Sequence, residues 1–502
     1  MQPLDLIVIA AYLLGSAWLG LALSGKQSNL KGYFLGDRNL PWWAVCLSVV
    51  ATETSALTVI SVPTIAYLGN LTFIQVALGY LIGRIVVAFV LLPRYYRGEM
   101  ATAYAYFGLR FGRGMQSTAS VAFLFTRLLA DGVRLFAAAI PMKVILDAYG
   151  IEMSFFAIIA ILGAVTVAYT FIGGIRAVVW VDVLQMLLYV VGGVIALFFI
   201  TGNLEINFWS AAAEAGKTQV LDFSSNPISA PYSFLTAVVG GALLSTASHG
   251  ADQIVVQRLL TCRTLNDARK AVIGSAVVVF IQFGLFLTVG LGLWSYYEQQ
   301  TPEQLGLQTG DQIFPTFIVE ALPAGISGLL LAGIMASAMS TLSSSLSALS
   351  SSTMTDLYEQ FSRRTLSDEQ GLRMGRIFTM AWGLVFIGAA ALFTGTDNPV
   401  VELGLAVAGL TYGGLLGSFF LGLAVRKARQ LDAIIGFACA VTTMVYLFVW
   451  QRDLIGFTWY TAIGVVITLV VGGGLALRHR EDSPLADRTA DEETRLSTEG
   501  GR

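Results

Sequence analysis

The sequence holds little of what most protein chemistry is built from. Its 502 residues include three cysteines and two histidines, and only 12% are charged. Cys46, Cys262 and Cys439 lie far apart, with no metal spacing and no even count, so neither a disulfide framework nor a zinc site follows. Neither histidine stands in a nucleophile or metal arrangement, which leaves an enzyme little to work with. Basic and acidic residues nearly balance, 30 against 32, and the basic ones sit in short connections rather than one patch, so nucleic-acid binding is set aside.

Apolar residues are abundant. They make up 56% of the chain, and the mean hydropathy is +0.72, whereas an average soluble domain carries roughly 25% charged residues. This composition describes an all-α polytopic membrane protein. A window of roughly 20 residues gives about thirteen apolar spans, near 4–23, 41–68, 72–92, 117–146, 154–172, 177–201, 233–251, 268–294, 325–350, 374–395, 399–424, 430–449 and 456–477. The N-terminus, Met1-Gln2-Pro3-Leu4-Asp5, lacks the basic region and cleavage site of a signal peptide, so the first span is expected to be retained.

Lysine and arginine favour the cytoplasmic side of short loops. Alternate connections hold Lys31 and Arg38; Arg94 and Arg97; Arg176; Arg258 and Arg263; Arg363 and Arg373; Arg426 and Arg429; then Arg478, while the opposite set holds little beyond Lys217 and Arg452. An odd number of spans then places the N-terminus outside and the C-terminus in the cytoplasm, in an integral plasma membrane protein, the inner membrane for a bacterial chain. Residues 1–480 form one transmembrane unit, and 481–502, polar and poor in large apolar residues, are expected to be a disordered cytoplasmic tail. The stretch from Arg94 to Arg113 suggests a short helix at the membrane interface.

Two spans are interrupted in similar ways: the second at Ala51-Thr52-Glu53-Thr54-Ser55, and the seventh around Gly240-Gly241 and Ser245-Thr246-Ala247-Ser248-His249-Gly250. Each would open a block of five spans. Paired broken helices in matching positions signal an inverted-repeat transporter with its site at midplane.

The ninth span carries a hydroxyl cluster, Ser337, Ser340, Thr341, Ser343, Ser344 and Ser345, in which residues three and four apart share a helix face. Lipid has no use for so many hydroxyls at one depth, whereas a hard cation stripped of water needs oxygens at that density. Small residues at a close helix contact are the plainer explanation, and for the cluster as a whole the cation site is preferred. Carbonyls freed at the break near Ala51 to Ser55 would supply the remaining ligands.

Asp182, inside the sixth span, has three roles open to it: neutralising a cation, relaying protons, or pairing with Arg176. Arg127, Asp131 and Arg134 share a face of the fourth span, two cations around one anion, which leaves Arg134 with surplus charge for a solute carboxylate. Glu53 could pair with Arg134, with the buried Arg84 or with a solute amine. His249 reads as a hydrogen-bonded structural residue, and Asp252, Gln253, Gln257 and Arg258 as a cytoplasmic gate or helix-end pairs.

These residues resemble the sodium:solute symporter family over roughly 30–480. The resemblance rests on Gly32-Tyr33-Phe34-Leu35-Gly36, Gly173-Gly174-Ile175-Arg176-Ala177-Val178, Trp180-Val181-Asp182-Val183-Leu184-Gln185, Asp252-Gln253 with Val256-Gln257-Arg258, and the Ser340-Thr341 helix ending at Thr355-Asp356-Leu357-Tyr358. It implies a five-plus-five inverted-repeat core like that of the leucine transporter, about 41–201 and 233–424, working by alternating access. It further implies a sodium site on Ala51, Thr54, Ser337, Ser340 and Thr341, and a second on Asp182, Ser340, Ser343 and Ser344, hence one or two Na+ per cycle. Glu53 stands where the proline transporter has an aspartate and the sialic-acid transporter a threonine. Ser55, Thr58, Phe73 and Arg134 match positions near substrate in the latter, but Ala77 replaces a polar residue there, so the substrate stays open.

The resulting expectation is Na+-coupled symport of a small polar organic solute, with carboxylates among the candidates, in a chain surrounded by membrane lipid and with no protein partner assigned. Proton-coupled symport is the close alternative. A transporter-like sensor acting with a kinase would need a partner chain, because the short tail holds no signalling domain.

Overall fold

In lipid every backbone amide and carbonyl must be satisfied within the protein, which favours helix throughout an apolar chain. The computed structural model describes residues 3–25, 27–148, 150–228, 230–362, 366–391, 400–451 and 455–479, and among them the chain is helical without a named strand. In order come α1 (Pro3–Leu23), α2 (Leu30–Leu35), α3 (Trp42–Glu53), α4 (Ala56–Leu68), α5 (Ile74–Val86), α6 (Leu92–Arg97), α7 (Ala105–Phe111), α8 (Arg113–Ala148), α9 (Phe155–Gly202) and α10 (Phe208–Glu214). Then follow α11 (Gly241–Gly250), α12 (Gln253–Leu259), α13 (Leu265–Tyr296), α14 (Ile313–Glu320), α15 (Ile326–Ser352), α16 (Glu359–Ser362), α17 (Asp368–Ala391), α18 (Val400–Ala424), α19 (Gln430–Trp450) and α20 (Tyr460–Ala476).

A helix lies at each of the thirteen intervals. By length and apolarity alone, seven helices among the described residues can cross a membrane, and eight if the bent pair α3 and α4 counts as one span. Helix α9 has 48 residues, about 72 Å at 1.5 Å per residue, more than twice the hydrocarbon core. It is two helical stretches joined at Gly174, whose φ of 55° and ψ of −154° no helix contains. A Cβ there would collide with Tyr33, so the backbone and the neighbour both demand glycine. Tyr33 in turn donates to the carbonyls of Thr170 and Phe171, each at 3.2 Å. Gln257 Nε2 donates to Phe34 O at 2.9 Å and approaches Ser347 Oγ at 3.2 Å. The separate motifs are thus neighbours in space.

The first break falls where the sequence placed it: α3 ends at Glu53 and α4 starts at Ala56, the pair bent by 64°. The second does not. A π-helical turn, Thr236–Gly240, runs straight into α11, and the interruption comes at Ala251-Asp252, where Asp252 Oδ1 accepts Ile254 N–H at 2.9 Å and caps α12. Gly240 and Gly241 serve close packing instead, against Thr458 and against Val76 and Gly79. Gly79 and Gly83, four apart on α5, likewise admit the backbone of the Ala237–Thr246 segment.

The stretch from Arg94 to Arg113 does contain a short helix, α7, but Tyr104, Phe107 and Phe111 are buried against the protein. Arg110 caps the end of α18 by donating to Gly422 O at 2.9 Å and Val425 O at 2.7 Å, so the segment packs onto the fold. The expected tail, 481–502, lies outside the described residues. Almost every residue of α15 is buried, with α9, α8, α1 and α3 around it, so the hydroxyl-rich helix sits at the centre of the molecule.

Candidate ion and solute site

A helix that ends at Glu53 leaves its last carbonyls without donors four residues on. Thr54 N–H takes that of Val50 at 2.9 Å, and those of Ala51 and its successors come free at the break. Helix α15 lies alongside, tied there by Thr52 Oγ1 and Ser344 Oγ at 3.1 Å. On it Thr341 Oγ1 donates to Ser337 O at 3.1 Å, and Ser340 Oγ donates to Asp182 Oδ1 at 2.7 Å. Each hydroxyl and carbonyl keeps lone pairs for a second partner. The donor set offered to an ion is all oxygen, the chemistry sodium requires. Thr54 Oγ1 is engaged with Gln282, at 3.0 Å from its Nε2, which leaves the Thr54 carbonyl as the group available to an ion.

Asp182 is fully buried, and its partner is not Arg176. Ser48 Oγ donates to Oδ2 at 2.6 Å, and Arg258 Nη2 reaches the same oxygen at 3.1 Å. Arg258, also fully buried, donates further to Ser48 Oγ at 2.9 Å and to Ser344 Oγ. Ser343 Oγ turns to Ser340 O at 3.0 Å. The set that the resemblance assigns to a second sodium therefore already holds a guanidinium.

The five expected solute residues, Glu53, Ser55, Thr58, Phe73 and Arg134, line one cavity of about 210 Å³. Thr52, Thr341, Ser344 and Ser345 also line it, so the hydroxyl face of α15 is a wall of the same space. A smaller cavity of about 10 Å³ separates Ser55 and Ala56 from Ala338, Thr341 and Leu342; that is about the space one water needs. On one side Phe73, Tyr232, Tyr80 and Phe283 form an aromatic wall, with Phe73 5.4 Å from Tyr232 and 5.2 Å from Phe283 between ring centres.

The charges in the cavity pair off. Glu53 is bound by Arg84, which also donates to Ser275 Oγ at 2.7 Å. Arg127 binds Asp252 at 2.6 Å, contacts Tyr412 and stands 3.5 Å from Asp131, whose same oxygen lies closer, at 3.2 Å, to Arg134, so two carboxylates answer two guanidiniums. The surplus charge expected at Arg134 is thereby cancelled by a carboxylate from α12's cap, which no spacing within α8 could reveal. Arg134 itself lines the cavity, and a guanidinium carries five N–H donors. His249, expected to be purely structural, lines the cavity too: Nδ1 meets Ser248 Oγ at 2.8 Å, and Nε2 stands 3.6 Å from Glu53.

A broken helix, an oxygen-lined face and a solute-sized cavity at their junction agree with what comparison with known proteins finds. The sodium:solute symporter family model matches residues 33–439. The chain belongs to this family. It is similar to the sodium/sialic acid symporter NanT of Aliivibrio fischeri, 28% identical over 487 residues that cover 93% of this chain and 92% of the relative. It is also similar to the sodium-coupled monocarboxylate transporter 2 of Danio rerio, 30% identical over 457 residues that cover 88% of this chain and 71% of the relative. A solved structure of a Na+-coupled sialic acid symporter in a substrate-bound outward-open state superimposes with a TM-score of 0.85, at 25% identity, covering 95% of this chain and 98% of that one. This sodium:solute symporter is thus an integral membrane transporter with a leucine-transporter-like fold, coupled to sodium, and not an enzyme.

Proposed function

We propose that the coupling sodium binds between the carbonyls of Ala51, Thr54 and Ser337 and the hydroxyls of Ser340 and Thr341, and that the solute binds beside it against Glu53, Ser55, Thr58, Phe73 and Arg134. The observation that carries this reading is the shared wall: the α3–α4 break and Thr341 border the same cavity as all five solute residues. Ion and solute then stabilise each other's site, which is what coupling requires. The solute is small, since the cavity falls below the roughly 300–1,000 Å³ of drug-sized sites, and it combines a polar end for Arg134 with a flat or apolar part for the aromatic wall. In the state with Arg258 on Asp182, one sodium moves per cycle.

The carboxylates that would carry protons, Glu53 and Asp182, are both held by arginines, which favours sodium over protons as coupling ion. One sodium entering across 100 mV releases about 2.3 kcal/mol, and a tenfold gradient adds about 1.4 kcal/mol, enough to concentrate a neutral solute roughly a few hundredfold. The chain crosses the plasma membrane thirteen times, N-terminus outside and tail in the cytoplasm, with a core of 41–201 and 233–424 moving by alternating access. Uptake into proteoliposomes of labelled sialic acid, proline, pantothenate, lactate and iodide tests the reading. An inward sodium gradient drives at least one of them, and an imposed pH gradient in sodium-free buffer drives none; the reverse pattern would replace sodium by protons.

A further inference from the structure

The cavity has a wall outside the segment that the family model matches. Thr458, Tyr460 and Thr461, in the turn that opens α20, line it together with Tyr412 and Gly409 of α18, while the match ends at residue 439. Thr458 is 2% exposed, yet its Oγ1 has no hydrogen-bond partner. A buried hydroxyl without a partner is costly and uncommon, and this one borders a space built to receive a polar molecule.

The turn is fixed from several sides, so its place on the cavity is not that of a loosely draped loop. Gly456 N–H donates to Ile228 O at 3.0 Å, and Trp459 Nε1 donates to Pro227 O at 2.9 Å. A Cβ at Gly240 would lie 2.8 Å from Thr458 O and 2.9 Å from its Cβ, so only glycine lets the turn sit this deep. Behind it, α18 and α20 touch backbone to backbone, a Cβ at Gly413 falling 2.7 Å from Gly464 Cα. Tyr232, a few residues before the Thr236–Gly240 turn, reaches the same cavity, so α20 and the stretch before α11 meet over it.

We propose that the turn opening α20 is part of the solute site and that Thr458 Oγ1 contacts the transported molecule, which presents a hydroxyl, carbonyl or amide to it. This rests on the cavity being the transport cavity. The specificity of the transporter is then set partly by a helix that lies outside the inverted-repeat core and whose sequence can vary without disturbing the ion site.

The test is thiol accessibility in proteoliposomes, with single cysteines placed in a chain whose Cys46, Cys262 and Cys439 are replaced by alanine. The probe is the cationic reagent trimethylammonium-ethyl methanethiosulfonate, applied in sodium and in potassium. Thr458→Cys reacts, and its rate changes at least about threefold between the two ions, as does Thr58→Cys on α4. Val466→Cys, on the outer face of α20 and 57% exposed, shows no ion dependence. If Thr58→Cys responds to sodium while Thr458→Cys is unreactive, or reacts equally in both ions, the inference is overturned and the cavity reading stands. If neither responds to sodium, both fall.

Discussion

Replacing Asp182 by asparagine keeps the volume and most hydrogen bonds of the Asp182 cluster but strips Arg258 of its counter-charge. Both side chains are fully buried, and Arg258 Nη2 stands 3.1 Å from Asp182 Oδ2. At an effective dielectric of about 20 that separation corresponds to about 5 kcal/mol, in line with the roughly 3–5 kcal/mol lost when one partner of a buried pair is removed. Asp182→Asn should therefore lower stability by about 3–5 kcal/mol. The double variant Asp182→Asn with Arg258→Met, which buries neither charge, should recover at least about 2 kcal/mol of it, a coupling read from a double-mutant cycle. The single variant Arg258→Met has a different signature, because Asp182 then stands bare among Ser48, Ser340 and Ser344 and becomes able to hold a sodium ion. Its thermal stability should gain a steeper sodium dependence, up to about 2.7 kcal/mol when sodium exceeds its dissociation constant a hundredfold. Thermal unfolding in detergent, followed by size-exclusion fluorescence across a sodium titration, measures all four proteins. Equal stability of Asp182→Asn and wild type, or no gain in sodium dependence in Arg258→Met, would refute the reasoning.

Arg134→Lys should cut sodium-driven uptake by at least about tenfold, because a point charge loses the planar donor pair offered to the solute, while the sodium-dependent stability is retained; ion-independent loss of folding would contradict this. Asp5 Oδ1 accepts Gly325 N–H at 2.8 Å and Gly328 N–H at 2.9 Å, so it caps α15 from α1. Asp5→Ala should cost about 1.5–3 kcal/mol in the same unfolding assay, with sodium affinity unchanged. In the largely exposed 219–225 segment, hydrogen bonds from Ser225 and then Ser224, by side chain and backbone N–H, hold the Asp222 carboxyl down at about 2 against an ordinary 3.8. Since the folded value is the lower one, this stabilisation is complete above about pH 4 and is lost as pH falls through about 2. Pepsin should cut the segment slowly at pH 4 and quickly at pH 2, and Asp222→Asn quickly at both; equal rates for wild type at the two pH values would contradict it.

The helical architecture was legible because burial in lipid forces long apolar runs, and the first break because Thr52 to Ser55 interrupts one with polar residues. Glu53 and Arg134 were legible as charges within apolar spans, Ser55, Thr58 and Phe73 only through the family resemblance, and all five line one cavity. What eluded the sequence was pairing across distant segments. Arg258 lies 76 positions from Asp182, and Asp252 lies 125 from Arg127, so charge bookkeeping within one helix gave Arg134 an excess that the fold removes. Gly240 and Gly241 misled for a related reason: glycine marks a break or a close contact alike, and here the contacts with Thr458, Val76 and Gly79 are made while the break moves to the capping Asp252. Nothing in the sequence around Thr458 distinguishes it from any other threonine at a helix start.

The most direct test of the ion site is the thermal stability of the purified protein in sodium against potassium, for wild type and Thr341→Ala. Wild type should be stabilised by sodium alone, and Thr341→Ala should fold normally in potassium yet lose that increment. A folded wild-type protein indifferent to sodium, or a Thr341→Ala variant that keeps the full sodium increment, would contradict the site described here.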